Sequence, residues 1–133
     1  MKLALTSVLC SLFVFLSAQD KKPEAGTQIY TITDEIPQFP GGMKAMAEFV
    51  ITNLHYPDSA REAKLQGKCF TKFVIHEDGT VSDVMILKGV PNCKACDEEA
   101  LRVIKLFPNW QPAKANGNYV SSYFNLPIVF HID

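Results

Sequence analysis

The stretch from Val120 to Ile132 alternates without interruption. Val120, Ser122, Phe124, Leu126, Ile128, Phe130 and Ile132 fall on one face, and Ser121, Tyr123, Asn125, Pro127, Val129 and His131 on the other. A period of two over that length is the pattern of an extended strand with one buried side, so the chain must build a sheet for that side to close on. Pro127 narrows the choice. A proline has no N–H to give to a ladder and sits in sheets almost only on edge strands. A long strand at a sheet edge is a place where a second chain can be added. Partner binding is therefore the first functional expectation, ahead of catalysis.

The N-terminus reads as a leader. Lys2 is followed by a mainly apolar run to Leu16 and by the small pair Ser17-Ala18, the layout of a secretory signal peptide cut after Ala18. The apolar run is shorter than the roughly 20 residues that span a bilayer, so an uncleaved anchor is the rival reading. Cys10 is preceded by the bulky Leu9, which argues against a lipoprotein. Residues 19–27 are a short polar tether, and 28–133 are the folded domain, about one domain's worth of chain. The whole chain carries 13 basic and 14 acidic residues for a net charge of −1, with no basic stripe, which argues against nucleic acid as a partner. There is no second long apolar run, so the mature domain is expected not to span a membrane.

Between tether and closing strand the elements follow in order. Ile29–Thr33 is β-branched enough for a short strand. Ile36-Pro-Gln-Phe-Pro-Gly-Gly42 is turn-rich. Met43 to Leu54 has a helical stripe of Met43, Met46, Ala47, Val50 and Leu54, which Pro57 ends. Asp58–Ala63 can form one more short helix. Cys69–Ile75 and Val81–Leu87 flank Asp78-Gly79, a strong hairpin signal. Asp97-Glu-Glu opens a second long helix with Ala100, Leu101, Ile104 and Phe107 on its buried stripe, and Pro108 closes it. The expected fold is α+β: a small antiparallel sheet of three core strands, with a further N-terminal strand, and two helices packed on one face, in the order β-α-β-β-α-β.

Several phrases in this order carry a resemblance: Phe39-Pro-Gly-Gly42, Tyr56-Pro-Asp-Ser-Ala-Arg61, Gln66-Gly67, Phe73-Val-Ile-His-Glu-Asp-Gly-Thr-Val-Ser-Asp83, Asp97-Glu-Glu-Ala-Leu-Arg102, Trp110-Gln-Pro112, Asn116-Gly117 and Leu126-Pro-Ile-Val-Phe130. Over residues 36–132 the chain resembles the C-terminal domain of the TonB energy-transducer family, in the version common in Bacteroidota. The resemblance implies a periplasmic domain whose last strand receives an extended "TonB box" peptide from an outer-membrane transporter, coupling inner-membrane proton-motive force to import. One departure stands out. Full TonB proteins carry a membrane helix and a long Pro-rich linker, whereas about ten polar residues, reaching roughly 35 Å at most, separate the leader from the first strand here. Binding is the expectation that survives that departure; force transduction by this chain alone is in doubt.

The expected partner-binding residues are Val120, Ser121, Tyr123 and Asn125 on the closing strand, with Trp110 and Gln111 beside it. If the missing N–H of Pro127 faces outward, pairing favours Val120 to Asn125. The alternatives are that this edge is covered, pairs with the Ile29 strand, or pairs with a second copy of the chain as a structural or dimerisation module. Trp110 has a second reading as the plug at the end of the core, and Tyr56-Pro57 reads as a structural corner.

The mature chain holds Cys69, Cys93 and Cys96. Export favours a disulfide, and either Cys93–Cys96 or Cys69–Cys93 is compatible with the hairpin register. Cys93-Lys-Ala-Cys96 has the spacing of redox motifs and precedes a helix, which raises a thiol-disulfide oxidoreductase as the rival function. The motif does not sit in the βαβ setting of such enzymes. His55, His76 and His131 lie on separate elements and show no ligand spacing, so no metal or cofactor is expected. No nucleophile triad or phosphate loop is evident, and no catalytic residue is proposed.

Overall fold

The computed structural model of the chain describes residues 28–132. The leader expected at 1–18 and the tether at 19–27 lie outside the described residues. Among the described residues three helices and five strands follow one another: α1 (Gly42–Asn53), α2 (Asp58–Glu62), β1 (Gly67–Ile75), β2 (Val81–Lys88), α3 (Lys94–Lys105), β3 (Ala113–Ala115), β4 (Asn118–Val120) and β5 (Ser122–Phe130). The main sheet is antiparallel in the order β2-β1-β5, and β3 and β4 form a separate two-stranded ribbon.

The β1–β2 hairpin is set by its turn. The Asp78 carboxylate accepts from the backbone N–H and the hydroxyl of Thr80 at 3.0 and 2.6 Å, an Asx-type turn. Gly79 N–H donates to His76 O at 2.8 Å with φ at 90°. The Gly79 carbonyl in turn accepts from Trp110 N–H at 2.8 Å, so the hairpin tip is fastened to the segment that leads into the ribbon.

One face of the sheet carries Cys69, Phe73, Ile75, Leu126, Ile128 and Phe130, all buried. α1 and α3 add Met46, Cys96, Ala100 and Ile104 to this core. An aromatic group fills the end near the hairpin tip: Trp110 lies 4.9 Å from Phe124, 5.4 Å from Phe39 and 5.9 Å from Phe73, ring centre to ring centre, spacings that suit aromatic pairs. The Tyr56 hydroxyl donates to Leu65 O, and its ring meets Phe130 edge-on at 5.7 Å, so the Tyr56-Pro57 corner is structural.

Five sequence expectations change in detail. Met43 and Ala47 are exposed on α1, and the buried side turns to Met46 with Phe49 and Val50 partly covered. The cause is Phe39, which packs on Phe49 at 5.7 Å and draws that side inward. On α3, Val103 is fully buried while Leu101 is only half-buried, and the helix begins at Lys94 rather than Asp97, because the Cys93 sulfur accepts from Cys96 N–H at 3.1 Å and caps an earlier turn. The expected strand at Ile29–Thr33 is a single bridge, Tyr30 to Ser122. The closing alternation is two strands, not one: Val120 belongs to β4 and pairs with Ala113, and the chain changes partner at Ser121 before Ser122 pairs with Ile75.

Candidate functional site: the outer edge of the last strand

β5 lies at the edge of the sheet with β1 on its inner side over its full length, from Ile75↔Ser122 to Gly67↔Phe130. In an extended strand, alternate residues direct their N–H and C=O to opposite sides. Tyr123 N–H donates outward, to Tyr30 O at 3.0 Å. The unbroken register then turns the main-chain groups of Asn125, Pro127 and Val129 outward too, and those of Ser122, Phe124, Leu126, Ile128 and Phe130 toward β1. The missing N–H of Pro127 therefore faces the outer edge. There it costs the β1–β5 ladder nothing, which is why a proline is accepted in this strand.

The outer edge has two halves. At Ser121–Tyr123 it is covered by the chain itself: Tyr30 N–H donates to Ser121 O at 2.8 Å, and Tyr30 O accepts from Tyr123 N–H. From Asn125 to Val129, no backbone hydrogen bond from another described segment reaches the outward groups. Beside this open half, the sheet face turned away from the helices presents Phe70, Met85, Leu87 and Val129, each between 40% and 55% exposed. Lys72 lies over the Tyr123 ring at 4.1 Å and holds that ring against the same face.

The residues expected to meet a partner are thus distributed unequally. Asn125 is exposed on the open edge. Tyr123 is half-buried and its N–H is taken. Ser121 is buried, its hydroxyl accepting from Glu77 N–H at 3.2 Å. Val120 is half-buried in the ribbon. Gln111 is exposed but pairs both ways with Gln38, at 2.8 and 2.9 Å. Trp110 is only 3% exposed and supports β5 from beneath through Phe124. Val129 and the carbonyl of Pro127 join Asn125 on the open edge. Their place follows from backbone parity, which side-chain alternation does not display until one outward bond is known.

The cysteines make a second cluster. Cys93 and Cys96 are joined in a disulfide with Cα atoms 5.2 Å apart, and Cys69 is a free thiol. All three are buried, so neither disulfide sulfur is open to an incoming thiolate. Burial pushes the Cys69 thiol up to about 12, helped by a hydrogen bond to Asp97 and by that carboxylate's charge. Asp97 also accepts from Val90 N–H at 2.9 Å and so ties the loop before α3 to the helix. His76 Nε2 lies 2.5 Å from Ser82 Oγ, with Asp83 on the hydroxyl rather than on the imidazole, which is not the order of a nucleophile triad. On α3, Glu99 is held below the usual carboxylate range, first by its hydrogen bond to Arg102 and then by the His55 N–H. Arg102 also donates to Asn53 O at 2.6 Å, joining α3 to the end of α1. No group of three or more ligand-type side chains is placed to hold a metal among the described residues, and no described helix is long and apolar enough to cross a membrane.

Comparison with known proteins bears on this edge. The family model for the Gram-negative bacterial TonB protein C-terminal matches residues 52–132, more than half of the chain. Two solution structures of the TonB C-terminal domain of Helicobacter pylori share the fold. The longer matches with a TM-score of 0.53 and 21% identity, over 68% of this chain and 80% of that one. The shorter matches with a TM-score of 0.50 and 22% identity, over 67% of this chain and 91% of that one. No curated protein matches the sequence.

Proposed function

We propose, from the premise that this chain belongs to the family of Gram-negative bacterial TonB C-terminal domains, that it binds an extended segment of an outer-membrane transporter, of the TonB-box kind, by strand addition along the outer edge of β5. The domain works in the periplasm after a leader ending at Ala18 is removed, and residues 19–27 tether it. It is an interaction module and carries out no catalysis of its own. The observation that carries this reading is the open main chain from Asn125 to Val129 at the edge of a three-stranded sheet.

The energetics suit a transient partner. The carbonyls of Asn125, Pro127 and Val129 and the N–H groups of Asn125 and Val129 can serve roughly five main-chain bonds of about 1 kcal/mol each. Ordering a flexible peptide takes back several kcal/mol, and apolar contact with Val129 and Phe70 returns part of it. The balance stays below about 5 kcal/mol and gives affinities on the order of 0.1–1 mM. Main-chain pairing supplies the attraction, and alternate side chains of the peptide read the exposed apolar face.

The test is a titration of isotope-labelled mature protein with synthetic ten-residue peptides taken from transporter N-termini, followed by NMR. Shifts concentrated at Tyr123 and Asn125–Val129 are expected. The absence of any perturbation along this edge with every such peptide overturns the reading. A second reading, a module that pairs with its own copy, is favoured by the cluster of exposed Phe70, Met85, Leu87 and Val129. Light scattering of the mature protein separates the two: the docking reading expects a monomer. The thiol-disulfide oxidoreductase has less support, because its two sulfurs are buried in the core.

A further inference from the structure

We infer that the segment from Gln28 to Thr33 is a built-in occupant of the docking edge, and that a partner peptide long enough to pair with Ser121–Tyr123 must displace it. The inference rests on the reading of β5 as the docking edge. It concerns a part of the chain that lies outside the residues matched by the family model, which begin at residue 52.

Tyr30 meets β5 as an added strand would. The bridge is parallel, with one bond from Tyr30 N–H to Ser121 O at 2.8 Å and one from Tyr123 N–H to Tyr30 O at 3.0 Å. The sequence of this piece, Tyr30-Thr-Ile-Thr33, is aromatic or β-branched and uncharged, the composition of a strand. It fills the main-chain groups a longer peptide would seek, and it fills them at an effective concentration that a free peptide must beat.

Its hold is light at this end and firm at the other. Ile32 is 87% exposed. A cavity of about 310 Å³ is lined by Thr31–Thr33, Ile36 and Pro37 on one side and Ser122–Asn125 on the other, and the hydroxyl of Ser122 is buried with no hydrogen-bond partner. Beyond the cavity the segment is fastened to the ribbon. Asp34 and Glu35 N–H donate to Lys114 O at 2.9 and 3.1 Å, and Lys114 N–H donates to Glu35 O at 3.0 Å. The Asp34 carboxylate accepts from Asn116 N–H at 2.7 Å. Freeing Tyr30 thus breaks two bonds and leaves the firm end, and with it the fold, in place. The hinge is Thr31–Thr33.

The consequence is a threshold. A short peptide is confined to Asn125–Val129, where Pro127 withholds a donor. A longer one gains Ser121 and Tyr123 only by evicting Tyr30, and its apparent affinity is lowered by the fraction of molecules in which that half is closed.

The test uses the mature chain with Tyr30→Pro, which removes the donor to Ser121. Without any peptide, exchange of the Tyr123 amide is expected to speed up. Affinity for the tightest transporter peptide of the NMR panel is expected to rise by about 5- to 30-fold, the range for one to two main-chain bonds. Tyr30→Gly keeps the N–H and loosens the backbone, so it should move both readouts the same way by less. Unchanged affinity beside faster Tyr123 exchange shows a detachable segment that does not compete, and overturns the inference. A fall in affinity makes the segment part of the partner's site, and overturns it too. Unchanged Tyr123 exchange in both variants removes the bridge on which it stands. If no peptide binds either form, the docking reading has failed and the competition with it.

Discussion

Gly79→Ala against Gly117→Ala isolates what the Trp110 corner contributes to the fold. The two glycines have similar backbones, with φ of 90° and 79°. They differ in what a methyl group would meet. At Gly117 nothing lies within 4 Å, whereas at Gly79 an added Cβ falls 2.2 Å from the backbone oxygen of Trp110. A non-glycine residue held at positive φ costs about 1 kcal/mol or a little more, and Gly117→Ala should lose that and no more. At Gly79 the carbonyl must also retreat by about 1 Å to reach ordinary contact. That retreat strains or breaks the Trp110 N–H to Gly79 O bond of 2.8 Å, worth about 1 kcal/mol net and more where a buried group is left unpaired. It also disturbs a tryptophan ring packed at 4.9 Å on Phe124. The sum for Gly79→Ala is about 3–4 kcal/mol, a large share of the 5–15 kcal/mol typical of a domain. Urea unfolding followed by fluorescence reads it directly, since the chain has one tryptophan and it sits at the contact in question. Equal losses in the two variants would refute the argument, because they would show that backbone strain alone, not the Trp110 contact, sets the cost.

Four further outcomes are expected. Pro127→Val restores an outward N–H, so affinity for a transporter peptide should rise about fivefold, one main-chain bond's worth, in fluorescence anisotropy; no gain would mean that the peptide stops short of residue 127. The Cys69 thiol, buried and pushed up to about 12, should react with an aromatic disulfide reagent at pH 8 only at the rate of global unfolding, and Cys93→Ser should leave peptide affinity unchanged; rapid labelling of the native protein would sink the first, and lost binding the second. Glu99, whose carboxylate is held low first by Arg102, adds stability that is full above the unfolded carboxylate value and lost as pH falls through its depressed folded value. The stability gap between wild type and Glu99→Gln, up to about 1 kcal/mol at pH 7 for a partly exposed pair, should therefore close below roughly pH 4, as measured by urea unfolding across pH.

Much of the architecture was legible because local chemistry and burial agree. Asp78-Gly79 marks a turn by its own geometry, and Pro57 and Pro108 stop helices whatever surrounds them. The buried side of β5 follows from alternation, since pleating alone sends neighbours to opposite faces. Less legible were the residues whose burial depends on a distant contact. Phe49 is drawn inward on α1 because Phe39 arrives from the preceding turn, and Met43, apolar and in phase, is left outside. Of the candidate site, Tyr123 and Asn125 were recognisable as edge residues, while Val129 was not separated from them by any signal in its own identity.

From its sequence alone this chain was bound to be a small α+β domain whose closing strand buries one side and keeps Pro127 at an edge, because periodicity and the missing N–H are local properties that no packing can undo. Tertiary structure decided the rest. It split the alternating stretch between two partners at Ser121, chose Cys93–Cys96 over the competing bridge, and laid Tyr30 across the first half of the edge. Those outcomes turn on which backbone groups meet across the fold. Every residue carries nearly the same N–H and C=O, so side-chain pattern alone cannot encode that choice.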